Sequence, residues 1–261
     1  GIRFLGANVT FCPKNVGEGR CDALNNRPMP SNLHLGVNVD HVVTLRQARY
    51  RQMLESPNAE PSVLAAALLA EQAGANSITI HLRADRRHIQ DADVFLIRKE
   101  IKTLLNLEMG NTAEILAIAL KAKPDFVCMV PENREEVTTE GGLDVAGQRE
   151  ALKATVGALE ANGTRVSMFI DPDPAQVRAS AEIGASMIEL HTGTFANHVG
   201  AERAAEVERL KAAADLGQSL GLQINAGHGL TTSNLPDLWP VPHLAELNIG
   251  HHIVSRSIFV G

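Results

Sequence analysis

SITIHLRADRRHIQDADVFLIRKEIKTLLNLEM, residues 77–109, holds one full turn of the pattern that organises this chain. A short apolar run, SITIHL (77–82), ends in polar residues, and a longer stretch then leads to a second apolar run, LLNLEM (104–109). Neither run alternates polar and apolar residues strictly, which suits parallel strands covered on both faces. The theme recurs in both directions. LGVNVD (35–40) precedes it, and FVCMV (126–130), VSMFI (166–170), MIELH (187–191), LQINAG (222–227) and ELNIGH (246–251) follow. Eight runs at a spacing of about 30 residues, the size of a βαβ unit, predict an α/β protein whose strands close into a (β/α)8 TIM barrel.

Helical stretches fit between the runs. PSVLAAALLAEQAGA (61–75) has Pro61 in its first turn and Gly74 near its end; TAEILAIALKAKP (112–124), the AQVRASAEIGA segment opened by Asp171-Pro-Asp-Pro, and the Ala-rich 201–220 read the same way. The chain reaches Gly261 just after the eighth run, so the final covering helix of the barrel is expected to be missing. A doubly wound open sheet is the alternative architecture. It would carry a glycine-rich fingerprint after its first strand, and LGVNVDHVVTLR has none. Residues 1–32, rich in Gly, Pro and Asn without helical period, read as an N-terminal arm or extension, leaving 33–261 as the barrel domain.

Bulk properties narrow the function classes. The 261 residues are 44% hydrophobic but only 3% aromatic, which suits aliphatic layers packed between strands and helices. A formal net charge of -6 provides no general field for nucleic acid or anionic lipid, so an anionic ligand needs a local pocket. No stretch approaches the roughly 20 apolar residues of a membrane span. The three cysteines, Cys12, Cys21 and Cys128, form neither an even disulfide framework nor a CxxC pair, which points to a reducing cytoplasm.

In a barrel the chemistry sits at the carboxyl ends of the strands. Here those ends deliver Asn38, Asp40 and His41; His81 and Arg83; Glu108; Glu189 and His191; Asn225 and His228; and Asn248, His251 and His252. One such residue alone is best read as a polar group bonded to nearby backbone; convergence from many strands points to a site. Glu108, between Leu107 and Met109, is the sharpest of them, because burial raises a carboxyl pKa toward the range a general base needs. A structural salt bridge to an arginine is its bland reading. His81 and His228 can exchange protons near neutral pH, unless they merely stack in the top layer of the barrel. Arg83, Arg86, Arg87 and His88, in HLRADRRH, place an anion site after the second strand, with Arg46 and Arg49 adding charge beside it. The glycines of NAGHG (225–229) and NIGHH (248–252) allow backbone N–H groups to approach a phosphate, or simply make tight turns. No lysine lies at a strand end, which argues against Schiff-base chemistry, and no HExxH, CxxC or carboxylate cluster has metal-ligand spacing. Cofactor-free acid/base chemistry is the expectation.

GVNVDHVVTLRQAR, ITIHLRADRRHI, LNLEM, VPENREEVTTEGGLDVAGQR, IELHTG, NAGHGL and ELNIGH resemble, in order and spacing, the pyridoxine 5'-phosphate synthase family over roughly residues 35 to 258. The resemblance implies a transferase-class condensation of 3-amino-2-oxopropyl phosphate with 1-deoxy-D-xylulose 5-phosphate, releasing phosphate and water in vitamin B6 biosynthesis. By position in the motifs, it implies that Asn38, Arg49, Gly229, Gly250 and His251 contact the aminoketone phosphate. Asp40, His41, Arg83, His88 and Thr138 would contact deoxyxylulose phosphate. His81 and Glu108 would accept protons, His228 would donate one, and Glu189 would stabilise a transition state. No cofactor or metal, and no nucleic-acid or membrane partner, is implied; a homo-oligomer, typically an octamer, is. Two readings stand against it: another sugar-phosphate barrel isomerase or lyase, and a truncated relative that binds phosphorylated ligands without turnover. Single-substrate turnover would mark the first, and binding of both substrates without phosphate release the second.

Overall fold

The computed structural model describes residues 32–132 and 141–260. Eight strands, β1 (His34–Asn38), β2 (Ser77–His81), β3 (Leu104–Met109), β4 (Phe126–Met129), β5 (Arg165–Ile170), β6 (Met187–His191), β7 (Gln223–Gly227) and β8 (Leu244–Ile249), pair in sequence order, all parallel. β1 pairs with β8 as well as with β2, closing the barrel. All eight apolar runs are strands.

Helices fill the connections: α1 (Asp40–Tyr50), α2 (Val63–Gln72), α3 (Asp91–Glu100), α4 (Ala113–Ala122), α5 (Arg149–Ala161), α6 (Pro174–Glu182), the short α7 (Gly193–Asn197), α8 (Gly200–Ser219), the short α9 (Leu235–Leu238) and α10 (His251–Val260). Local chemistry sets their ends. Thr112 caps α4 by accepting the Ile115 N–H, and Ile115, Ala119 and Ala122, one turn apart on one face, are buried. Asp173 caps α6 by accepting the Ala175 N–H, with Pro174 in the first turn where its missing N–H costs nothing.

Successive strand residues point to opposite sides, and that period sorts the chain into two environments. In β2, Ile78 and Ile80 join the aliphatic core between strands and helices, while Ser77 and Thr79 turn inward. The lumen is therefore polar. Ser77 donates to Glu246, Thr79 donates to Asn248, and Asn106 donates to Thr79, all among buried side chains. Gly36 makes room for this ladder on β1, where a Cβ would stand 2.0 Å from Asn248 Oδ1.

Two sequence expectations need correction. The final helix is not missing: residues 251–260 form α10, starting on the residue assigned to the end of the eighth run, with the Val254 N–H on the Gly250 carbonyl. Ten residues give fewer than three turns, and none of them is buried, so the apolar signal of that segment was too short to register as a helix. Asp40 likewise opens α1 rather than ending β1, because the chain turns at Val39. Residues 1–31, nearly all of the expected arm, lie outside the described residues.

Candidate active site

Register brings the polar strand ends together near the mouth. His81 pairs with Glu108 across β2 and β3, Glu108 with Cys128 across β3 and β4, and Phe169 with Glu189 across β5 and β6. The stagger of a parallel barrel builds each inner layer from alternate strands, so these residues occupy successive layers near the mouth.

One wall is built from β1, β2 and β3. Asn38 and Asp40 brace each other: the Asn38 amide donates to Asp40 Oδ2 at 3.0 Å, and the Asp40 N–H returns to Asn38 Oδ1 at 2.9 Å. The other carboxylate oxygen of Asp40 accepts the His81 backbone N–H at 2.9 Å. Burial pushes the Asp40 carboxyl up to about 6, against the opposing pull of His81 and Asn38. Glu108 lies 3.7 Å from His81 Nδ1 through its Oε2. Burial, with the charges of Asp40 and Glu189 added, drives its carboxyl well above the usual range. Among the described residues no arginine pairs with it, which counts against the salt-bridge reading. Asp40, His81 and Glu108 each bring one ligand atom within 4.8 Å of the others, close enough to hold a cation or to exchange a proton.

The floor carries the second acid. Glu189 is buried on β6, accepts the Asn248 amide at 2.6 Å, and lies against the Cys128 thiol. Burial raises its carboxyl to about 7; the Asn248 hydrogen bond opposes this and the charge of Glu246 adds to it. Gly227 gives Glu189 its space, since a Cβ there would stand 2.2 Å from Glu189 Oε1.

Opposite, His228 and Gly229 follow β7 with positive φ, 84° and 74°, a left-handed pair that turns the chain at the mouth. The left-handed region disfavours a side chain, so a histidine there marks a constrained position. Its ring meets that of His191 at 5.0 Å, and His191 Nδ1 is 2.9 Å from Asp171 Oδ1. These two histidines, with Gly193, Thr194, Asn197 and His198, line a cavity beside the mouth. Gly250 packs on Asn38, where a Cβ would meet Asn38 Cβ at 2.9 Å, and the next residue, His251, opens α10 and meets the His41 ring at 5.0 Å.

The basic loop after β2 divides in two. Among the described residues, Arg83 Nε and His88 Nδ1 are buried without a hydrogen bond, although Arg83 Nε lies 3.7 Å from Asp85 Oδ1; burial, with the nearby charges of His81, Arg83 and Arg87, lowers His88 to about 4. Buried polar atoms are rarely left so, and this pair suits an anion. Arg86 and Arg87, in contrast, are held by Asp91 and Glu114 and by Asp85. Arg46 corrects the expectation more sharply: it is buried and forms two hydrogen bonds to Asp93, at 2.9 and 2.7 Å, tying α1 to α3. Arg49 lies in the last turn of α1, exposed, over the Tyr50 ring, about 14 Å along the helix from Asp40. The mouth residues do not include it within this chain. Thr138 falls outside the described residues.

Sequence reasoning passed over Glu132 and Asp171 as working residues. Glu132 Oε1 lies 2.7 Å from His81 Nε2. It stands three residues beyond β4, in VPEN, where the rule that strand ends carry function could have found it.

Comparison with known proteins bears on this arrangement. A family model described as "Pyridoxal phosphate biosynthesis protein PdxJ" matches residues 35–261. A protein of Akkermansia muciniphila named pyridoxine 5'-phosphate synthase is 59% identical over 228 residues, covering 87% of this chain and 93% of that protein. One of the same name from Synechocystis sp. is 56% identical over 230 residues, covering 88% and 93%. Among solved structures, the YdjI aldolase of Escherichia coli K12 matches with a TM-score of 0.55 at 12% identity, covering 88% of this chain and 78% of that one. A phosphoribosylanthranilate isomerase of Thermotoga maritima matches at 0.51 and 12%, covering 85% and 88%. The last two share the fold alone.

Proposed function

The chain belongs to the PdxJ family of pyridoxal phosphate biosynthesis proteins and is an enzyme making pyridoxine 5'-phosphate, and from that premise we propose how its mouth divides the work. The substrates are 3-amino-2-oxopropyl phosphate and 1-deoxy-D-xylulose 5-phosphate. Asn38, Gly229, Gly250 and His251 take the first, joined by Arg49 from a second copy of the chain, since within one chain it lies away from the mouth. Asp40, His41, Arg83, His88 and Thr138 take the second. His81 and Glu108 accept protons, His228 donates one, and Glu189 stabilises positive nitrogen as it develops. The chain acts in the cytoplasm as a homo-octamer.

The observation that carries this reading is the approach of Glu108 Oε2 to His81 Nδ1 at 3.7 Å, inside a mouth whose carboxyls burial has pushed toward neutrality. Joining an amine to a ketone, expelling water and phosphate, and closing a ring each move a proton. A buried carboxyl and an imidazole this close can pass one between them and the substrate, a contribution of about 10²–10⁴-fold. The substrate amine supplies the imine nitrogen. Arg83 Nε and His88 Nδ1, which make no hydrogen bond among the described residues, supply hydrogen-bonding capacity for one phosphate, and the α10 N-terminus beside Gly250 provides N–H groups for the other.

Mixing the purified protein with both substrates should release phosphate while pyridine absorbance rises. Glu108→Gln should lose at least about 10²-fold in turnover while still binding phosphorylated ligand, as isothermal titration would read. Turnover near wild type in that variant removes Glu108 from its role.

A further inference from the structure

Three loops meet on the carboxylate of Glu132. Its Oε2 accepts the Ala84 N–H at 3.0 Å, from the loop after β2, and its Oε1 accepts the Gly110 N–H at 3.2 Å, from the residue after β3. The same Oε1 lies 2.7 Å from His81 Nε2. An ionised carboxylate only accepts, and backbone amides only donate, so the third partner must donate too. Nε2 therefore carries the proton, and Nδ1, the nitrogen 3.7 Å from Glu108, presents its lone pair. We propose that Glu132 is a positioning residue for pyridoxine 5'-phosphate synthesis, fixing His81 in the Nε2–H tautomer with Nδ1 bare toward Glu108 and the substrate. This rests on His81 accepting a proton, as assigned above.

Independent features agree. Burial alone would raise the Glu132 carboxyl, but the hydrogen bonds from His81 and Ala84 and the charges of His81 and Arg83 outweigh it and hold it below the usual range. It stays ionised at neutral pH. Gly110 leaves the space it fills, since a Cβ there would come within 2.8 Å of Glu132 Cδ. The His81 backbone N–H is pinned on Asp40, so main chain and ring tip are both held. In the proton balance, His81 Nδ1 takes a proton from the substrate and the imidazolium sits against the Glu132 carboxylate. The proton returns from Nδ1 at the elimination step, and Glu132 never takes it.

Glu132→Gln is isosteric, but its amide can donate to Nε2 and favour the opposite tautomer. The expected result is a kcat lower by about 10–100-fold with either KM within about twofold. In ¹⁵N spectra of histidine-labelled protein at alkaline pH, neutral His81 should change from the Nε2–H to the Nδ1–H signature. Gly110→Ala, which crowds the same carboxylate, should shift the tautomer in the same direction should Glu132→Gln fail to fold. A wild-type His81 protonated on Nδ1 overturns the proposal, as does a Glu132→Gln variant with unchanged kcat, or with lowered kcat and unchanged tautomer. Full turnover by His81→Gln would instead overturn the base assignment, leaving the tautomer measurement standing, so the two failures separate.

Discussion

A buried carboxyl that titrates near neutrality carries a stability signature as well as a chemical one. Glu189 has its folded pKa raised from the model-peptide value of 4.5 to about 7, with burial the leading cause. Between those values the folded chain binds the proton more tightly than the unfolded one, so stability falls as pH rises from about 4.5 to about 7. Glu189→Gln, which keeps an oxygen for the Asn248 amide, should remove that loss. Thermal melting should show the variant more stable than wild type at pH 8 by about 1–3 kcal/mol, and indistinguishable at pH 4. Equal differences at both pH values would mean that its charge is not the source. The burial of Glu108 and Glu189 at the barrel mouth is legible in the sequence, because each is a lone acid inside an apolar run. That of Glu132 is not: it lies past a strand, among other acids in PENREE, and only the folded chain brings it to His81.

At the scale of elements, the same residue type separates into anchors and ligands. Arg46 and Arg83 both follow mouth strands, and sequence treats them alike. Arg46 lies on the inward face of α1 with Val43 and Gln47, so its guanidinium meets Asp93 in the first turn of α3. Asp93 also accepts the Gln90 N–H, which fixes the start of that helix. Arg46→Ala would leave a buried carboxylate unpaired and should cost about 3–5 kcal/mol in denaturant melts. The same variant should leave the KM for each substrate nearly unchanged, measured at a temperature where it remains folded. Arg83→Ala should show the reverse, a raised KM for deoxyxylulose phosphate with little change in melting, because the ion pair it gives up, Nε to Asp85 Oδ1 at 3.7 Å, is long and Asp85 is exposed to water. Strands and long helices were legible from period alone, as β2, α4 and α8 show. α10 was not, since ten residues with no buried face carry little pattern, and neither was the start of α1, which hangs on one turn at Val39.

At the scale of the whole molecule, closure follows from counting: eight apolar runs at βαβ spacing leave a parallel sheet no edge, and β1 meets β8. The polar lumen did not follow from that count, because Ser77, Thr79, Asn106 and Asn248 interrupt apolar runs without announcing that they face one another. Assembly lies further still from a single chain, yet the outer surface bears on it. α10 packs beside α1, and together they present Leu45, Ile258, Phe259 and Val260, between 53% and 86% exposed. A cluster of large apolar side chains in water is costly enough that single proteins seldom keep one, and association removes it. On the octamer proposed above, light scattering should find the chain at about eight times its 28.0 kDa mass. Phe259→Glu, which sets a charge in the most exposed of these positions, should shift the distribution to lighter species without loss of the barrel's circular dichroism. An unchanged mass in that variant would place the contact between copies elsewhere on the barrel, and a wild-type chain of 28.0 kDa would remove the octamer altogether.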